Sequence, residues 1–206
     1  EYRLINEINY SKKKIYGYIP TWRQDGLEIF KDLKNLEKFK DLDDSLNKTG
    51  SAILLKKHMN SEIIDGDSRY NSDIEKMINE LKKYKSIIFV DYDIDLNTIL
   101  NKCDYLITDY SGCVFDYLYL ERPIILYVPD YEIFLKNTGF DINIVNRKIS
   151  KVAYNFNELI KIILENKDDK SHENHEFNIN KKKLKEEIFP ENNQEIENII
   201  KILRNN

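Results

Sequence analysis

Short apolar runs alternate with helix-patterned segments along most of this chain, and that alternation limits the possible folds more than any other feature. Residues 14–19 (KIYGYI), 51–58 (SAILLKKH), 86–90 (SIIFV), 104–108 (DYLIT) and 123–128 (PIILYV) read as strands. Residues 26–39 carry Leu27, Phe30, Leu33 and Leu36 at helical spacing. The segments 72–84, 95–103 and 113–120 also read as helices, and Ser72 with Glu75 makes a capping box. Strands separated by helices imply a parallel sheet wound on both faces, an α/β fold of Rossmann-like type. The unbroken apolar run of 123–128 suits a sheet covered on both sides.

Residues 41–50 read as a loop. Beyond Phe140 the pattern weakens. An amphipathic helix is expected over 156–166, capped by Asn155 or Asn157, then a charged, solvated stretch over 167–183 and a closing helix over 191–203 after Pro190. The expected organisation is one domain over 1–206, with a core at about 13–150 and C-terminal helices at about 151–206.

In such a sheet, ligands lie beyond the carboxyl ends of the strands. The segments PTWR (20–23), KKH (56–58), DYD (91–93), TDYSG (108–112) and VPD (128–130) should therefore gather on one rim. The net charge is only -4, so no global field steers the chain to phosphate or calls for nucleic acid. Any anion site must be local. Cys103 and Cys113 have neither metal-ligand spacing nor a disulfide framework, which reads as a cytoplasmic chain with reduced thiols. No apolar run approaches the ~20 residues of a membrane span. Glu1 stands where a Met would begin a complete chain, so a longer parent with a preceding N-terminal part is expected.

Within TDYSG, Ser111 is the expected N-cap or first residue of a helix, and Gly112 would admit a ligand close to the backbone N–H groups of Gly112 and Cys113. The plain alternative is an ordinary capped turn. Asp109 is expected to pin the loop through backbone N–H bonds. Asp116, one turn into the helix, is either a surface carboxylate or an orienting group for a cationic or hydroxyl partner. His58 follows an apolar strand, whereas His172 and His175 fall in the solvated stretch. Its imidazole could donate to a leaving phosphate, or be satisfied by a backbone carbonyl. Arg23 could grip phosphate oxygens bidentately, or make a surface ion pair. Trp22 reads as a packing residue. Of Lys56 and Lys57, at most one faces the rim.

Taken together, PTWR, LLKKH and LITDYSGCVFDYLYLERPIILY followed by GFD resemble the CDP-glycerol glycerophosphotransferase family. That family includes teichoic-acid primases and polymerases and related bacterial capsule polymerases. The resemblance runs from about Ile15 to Asp141, with a fainter echo in IFPENN (188–193). It implies the C-terminal, donor-nucleotide half of a GT-B transferase, whose acceptor-side domain is absent from this chain. It further implies a CDP-activated polyol donor, a lipid-linked or polymer acceptor, and a parent peripheral to the inner face of the cell membrane. No cofactor or metal is expected, since helix N–H groups and cations can offset the charge and no carboxylate cluster or His/Cys spacing suggests a metal site. His58 and Asp116 take the catalytic positions. Ser111, Gly112, Cys113, Arg23 and Thr108 form the expected pyrophosphate-binding set. The chain departs from the family pattern at Gly112, where a second Ser is usual, at Met59, where Pro often follows the His, and at Asn192, Asn193 and Gln194, where Gly and Ser are usual. A GT-B glycosyltransferase using a nucleotide sugar, and a non-catalytic doubly wound module, are the rival readings.

Overall fold

The computed structural model describes residues 14–21, 36–56, 83–90, 93–139, 141–166 and 175–189. Strand β1 (Lys14–Tyr18) lies inside a sheet completed by β2 (Ser51–Lys56), β3 (Ile87–Val90), β4 (Tyr105–Thr108), β5 (Ile124–Tyr127) and β6 (Lys151–Ala153). The spatial order is β3-β2-β1-β4-β5-β6, and every neighbouring pair runs parallel. The expected Rossmann-like, doubly wound parallel sheet is the sheet observed. Its order reverses between β1 and β4, and that switch point is where ligands of such sheets bind.

Alternating side chains divide the core into two layers. Ile15, Leu54, Leu106 and Leu126 pack with residues of α2 (Leu96–Lys102) and α3 (Cys113–Leu118). Tyr16, Ile53, Leu55, Ile107 and Ile125 pack with α1 (Leu36–Lys48) and α5 (Phe156–Glu165). The N-cap of α5 is Asn155, one of the two expected caps, whose side chain accepts from the Glu158 N–H at 3.0 Å. Helix α4 (Tyr131–Asn137) follows β5, and α6 (His175–Ile188) lies against α3 with Leu184 buried.

Several elements differ from those expected. Residues 41–48 are not loop but the body of α1, where Phe39, Leu42 and Leu46 are buried. The polar residues that suggest a loop bond across to β3 instead: Asp43 accepts from the Ser86 N–H at 3.1 Å and Asn47 from the Ser86 hydroxyl at 2.6 Å. Only Thr49 and Gly50 leave the helix, Gly50 at φ +64, a conformation suited to glycine after a helix end. The charged stretch from His175 onward is helix α6. Neither α4 nor β6 was anticipated. The closing helix expected over 191–203 and nearly all of that over 72–84 lie outside the described residues. Among the described residues, no helix is long and apolar enough to cross a membrane.

Gly17 marks the tightest point of the central strand, because an added Cβ would meet Cys103 Sγ at 2.5 Å. Gly17→Ala is expected to destabilise the fold by roughly 1–3 kcal/mol in denaturant melts, the usual cost of overpacking. Adding Cys103→Ala should recover part of that loss, because the closest opposing atom is then gone.

Candidate functional site

At the switch point the backbone leaves β1 and β4 side by side, and side chains lock the two exits together. The Ile19 N–H donates to the Ile107 carbonyl at 2.9 Å, and Thr108 Oγ1 donates to the Ile19 carbonyl at 2.5 Å. The chain then turns at Asp109, which is 1% exposed. A carboxylate so far from water must be matched by hydrogen-bond donors. Oδ1 accepts from the Thr21 N–H at 2.7 Å, the Thr21 hydroxyl at 2.6 Å and the Tyr110 N–H at 2.6 Å. Asp109 thus pins its own loop, as expected, and also ties down Thr21 at the exit of β1.

Tyr110 makes the corresponding tie on the other side. Its ring stacks on Phe134 of α4 at 4.0 Å between centroids, and its hydroxyl donates to Asp130 Oδ1 at 3.1 Å. The exits of β1, β4 and β5 therefore form one braced unit. Tyr110 and Phe134 went unrecognised in the sequence. An aromatic residue between the buried Asp109 and the turn was the available signal.

Above this brace sits the open turn. Gly112, not Ser111, is the N-cap of α3, and no side chain caps the helix there. The Val114 and Phe115 N–H groups bond back to the Ser111 and Gly112 carbonyls at 3.2 and 2.9 Å. The Cys113 N–H lies 3.4 Å from Ser111 Oγ, at the long limit for such a bond. Among the described residues, the Ser111 and Gly112 N–H groups have no acceptor. An added Cβ at Gly112 would meet nothing within 4 Å, and its φ of -58 suits any residue. Neither packing nor backbone conformation therefore requires glycine at this place. Free N–H groups at a helix start, beneath open space, suit an anion.

The remaining expected residues divide. Thr108 is wholly buried with its hydroxyl committed to Ile19, so it supports the turn from beneath and offers a ligand no contact. Cys113 is buried too, its Sγ 3.5 Å from Thr108 Oγ1, and burial pushes its thiol up to about 11. Only its backbone can face a ligand. Asp116 is exposed in the first turn of α3, on the same helix as the open turn. Lys56 ends β2 on this rim but donates to the Ile94 carbonyl at 2.8 Å. His58 and Arg23 lie outside the described residues. Among the described residues, no group of three or more His, Cys, Asp or Glu is placed to hold a metal ion.

Comparison with known proteins gives a consistent result. A family profile described as CDP-glycerol:poly(glycerophosphate) glycerophosphotransferase matches residues 3–187. A teichoic acid poly(glycerol phosphate) polymerase of Bacillus spizizenii is 33% identical over 130 residues, covering 61% of this chain and 29% of that protein. The wall teichoic acid polymerase TagF superposes with a TM-score of 0.59 at 24% identity, over 87% of this chain and 41% of its own. A TagF variant soaked with CDPG gives a TM-score of 0.55 at 26% identity, over 86% of this chain and 38% of its own. Anabaena HepE in complex with UDP-glucose shares the fold at 12% identity and a TM-score of 0.54, over 90% of this chain and 47% of its own. The chain thus spans less than half the length of these relatives.

Asp109→Ala should cost roughly 2–4 kcal/mol by leaving buried donors unmatched. Asp109→Asn should cost less, since one oxygen remains to accept. Urea unfolding of both variants against wild type measures the difference.

Proposed function

Because the chain belongs to the CDP-glycerol:poly(glycerophosphate) glycerophosphotransferase family, we propose that it forms the donor-nucleotide half of a bacterial cell-surface polymer transferase. The donor is CDP-glycerol or a related CDP-activated polyol. An acceptor hydroxyl oxygen attacks the polyol-bearing phosphorus, the bridging P–O bond breaks, and CMP leaves with the bonding electrons. The hydroxyl proton passes to a base on the acceptor-side domain. The acceptor is lipid-linked or the growing polymer, held by a second, acceptor-side domain. The parent works at the inner membrane face.

What carries this reading is the coincidence of the open Ser111–Gly112 turn with the switch point between β1 and β4. The diphosphate sits against the Ser111 and Gly112 N–H groups, and the Ser111 hydroxyl is free to rotate toward it. Charge accumulates on the departing phosphate as the bond breaks, and fixed N–H donors stabilise it there without reorganising. Arg23 neutralises part of that charge. His58, following β2, donates a hydrogen bond or proton to the leaving group. Asp116 orients a hydroxyl or cationic partner and does not touch phosphate, which it would repel.

Thermal-shift titration with CDP, CDP-glycerol, UDP and ADP tests the ligand class. The two cytidine ligands should stabilise the protein more than the others. Preference for UDP would favour a nucleotide-sugar glycosyltransferase, and equal, negligible shifts with all four would count against any nucleotide site. In the full-length parent, His58→Ala and Ser111→Ala should each depress transfer. If both leave it unchanged, the turn is only a turn.

A further inference from the structure

Helix α4 stands at the rim directly after β5, and none of its seven residues is buried. Ile133 is 57% exposed and Leu135 42%. Burial of apolar surface therefore does little to hold the helix, and individual side chains must do so. Tyr131 accepts at its hydroxyl from Asn143 Nδ2 at 3.0 Å and meets the Tyr154 ring edge-on, with centroids 6.3 Å apart. Two further ties converge on Tyr110. The Phe134 ring lies 4.0 Å from the Tyr110 ring and 22° from parallel, and Asp130 Oδ1 accepts from the Tyr110 hydroxyl at 3.1 Å. Asp130 is the N-cap residue of α4, a position from which Asp usually accepts from an N–H of its own helix, yet its side chain makes no such bond. The local bond is forgone for one that crosses to the exit of β4.

Tyr110 is thus held at both ends. Its N–H donates to Asp109 Oδ1 at 2.6 Å, and its side chain is fixed against α4. The next N–H along the chain, that of Ser111, lies in the same rigid peptide plane as the Tyr110 carbonyl. Only the ψ rotation of Tyr110 separates that plane from the anchored Cα. Beyond Ser111 the turn has little of its own to stiffen it: no side chain caps α3, and Ser111 Oγ lies 3.4 Å from the Cys113 N–H. We propose that Tyr110 is a positioning residue for transfer, one that aims the Ser111 and Gly112 N–H groups at the departing phosphate through its ties to Asp130 and Phe134. The proposal rests on the reading of this turn as the diphosphate seat. With its ring stacked and its hydroxyl given to Asp130, Tyr110 needs no contact with the donor.

The consequence falls on catalysis more than on binding. An N–H···O bond weakens steeply as it departs from linearity. A bound diphosphate can shift to meet tilted donors, whereas in-line attack fixes where charge develops on the leaving oxygen. Loosened donors therefore cost more in the transition state than in the ground state. The hydroxyl matters most, because its partner is a carboxylate and the bond is charge-assisted and directional, whereas a stack alone lets the ring slide.

Kinetics of the full-length parent with CDP-glycerol and ¹⁵N relaxation of the ligand-free protein test it together. Tyr110→Phe keeps the stack and removes the hydroxyl. It should lower kcat about tenfold, while KM for CDP-glycerol stays within about twofold of wild type. In an Asp130→Ala background the same change should lower kcat no further, because both variants break one bond. Without ligand, Tyr110→Phe should drop the Ser111 and Gly112 amide order parameters from about 0.85 toward about 0.6, with those of β4 unchanged. A wild-type kcat for Tyr110→Phe, in a parent whose transfer Ser111→Ala depresses, would overturn the proposal and leave the diphosphate seat standing. Additive losses in the double variant would overturn it, as would unchanged order parameters, whatever the ligand. If Ser111→Ala is itself without effect on transfer, the seat fails and the proposal fails with it.

Discussion

The carboxylate of Asp109 has almost no access to water, so the surrounding chain must satisfy it. It does so with groups from both sides of the sheet's switch point: the Thr21 N–H and hydroxyl from the exit of β1, and the Tyr110 N–H from the exit of β4. Sheet pairing brings these exits near each other, but pairing alone leaves two loops free to move. The buried charge converts them into one rigid corner, because releasing either loop would strip hydrogen bonds from an ion that has no solvent to replace them. The proposed rim site depends on that corner holding Ser111 and Gly112 in a fixed relation to Thr21 and the exit of β1.

The proposed site also shows how a weakly acidic protein would hold a diphosphate. Its overall field does not attract anions. In the proposed site the attraction comes instead from the Ser111 and Gly112 N–H groups, which have no acceptor among the described residues. Such donors act over short range and need accurate placement more than net charge. Bracing is therefore the functional requirement, and the Tyr110–Phe134 stack and the Tyr110–Asp130 bond extend it toward β5.

Much of this was legible in the sequence, for identifiable reasons. A parallel sheet buried on both faces demands apolar runs at β1, β2, β4 and β5, and nothing else in the chain competes with that signal. The rim followed from the fold, since parallel strands all end on one side. The losses have physical causes too. Asp43 and Asn47 are turn-forming residues, but here they reach from α1 to Ser86, so their loop signal concealed the stripe of Phe39, Leu42 and Leu46. Strand β6 has three residues, too few to show alternation. Thr108 was placed among the ligand contacts by its position in the motif, yet strand alternation turns its hydroxyl inward to Ile19. A one-residue difference in facing is invisible to a motif and decisive in a site.

The account stands or falls on where the diphosphate binds. A crystal structure of this domain with CDP would settle it. The predicted result has phosphate oxygens about 3 Å from the Ser111 and Gly112 N–H groups, with the His58 imidazole approaching from the β2 side. CDP bound elsewhere, with His58 remote from an unfilled turn, would contradict it.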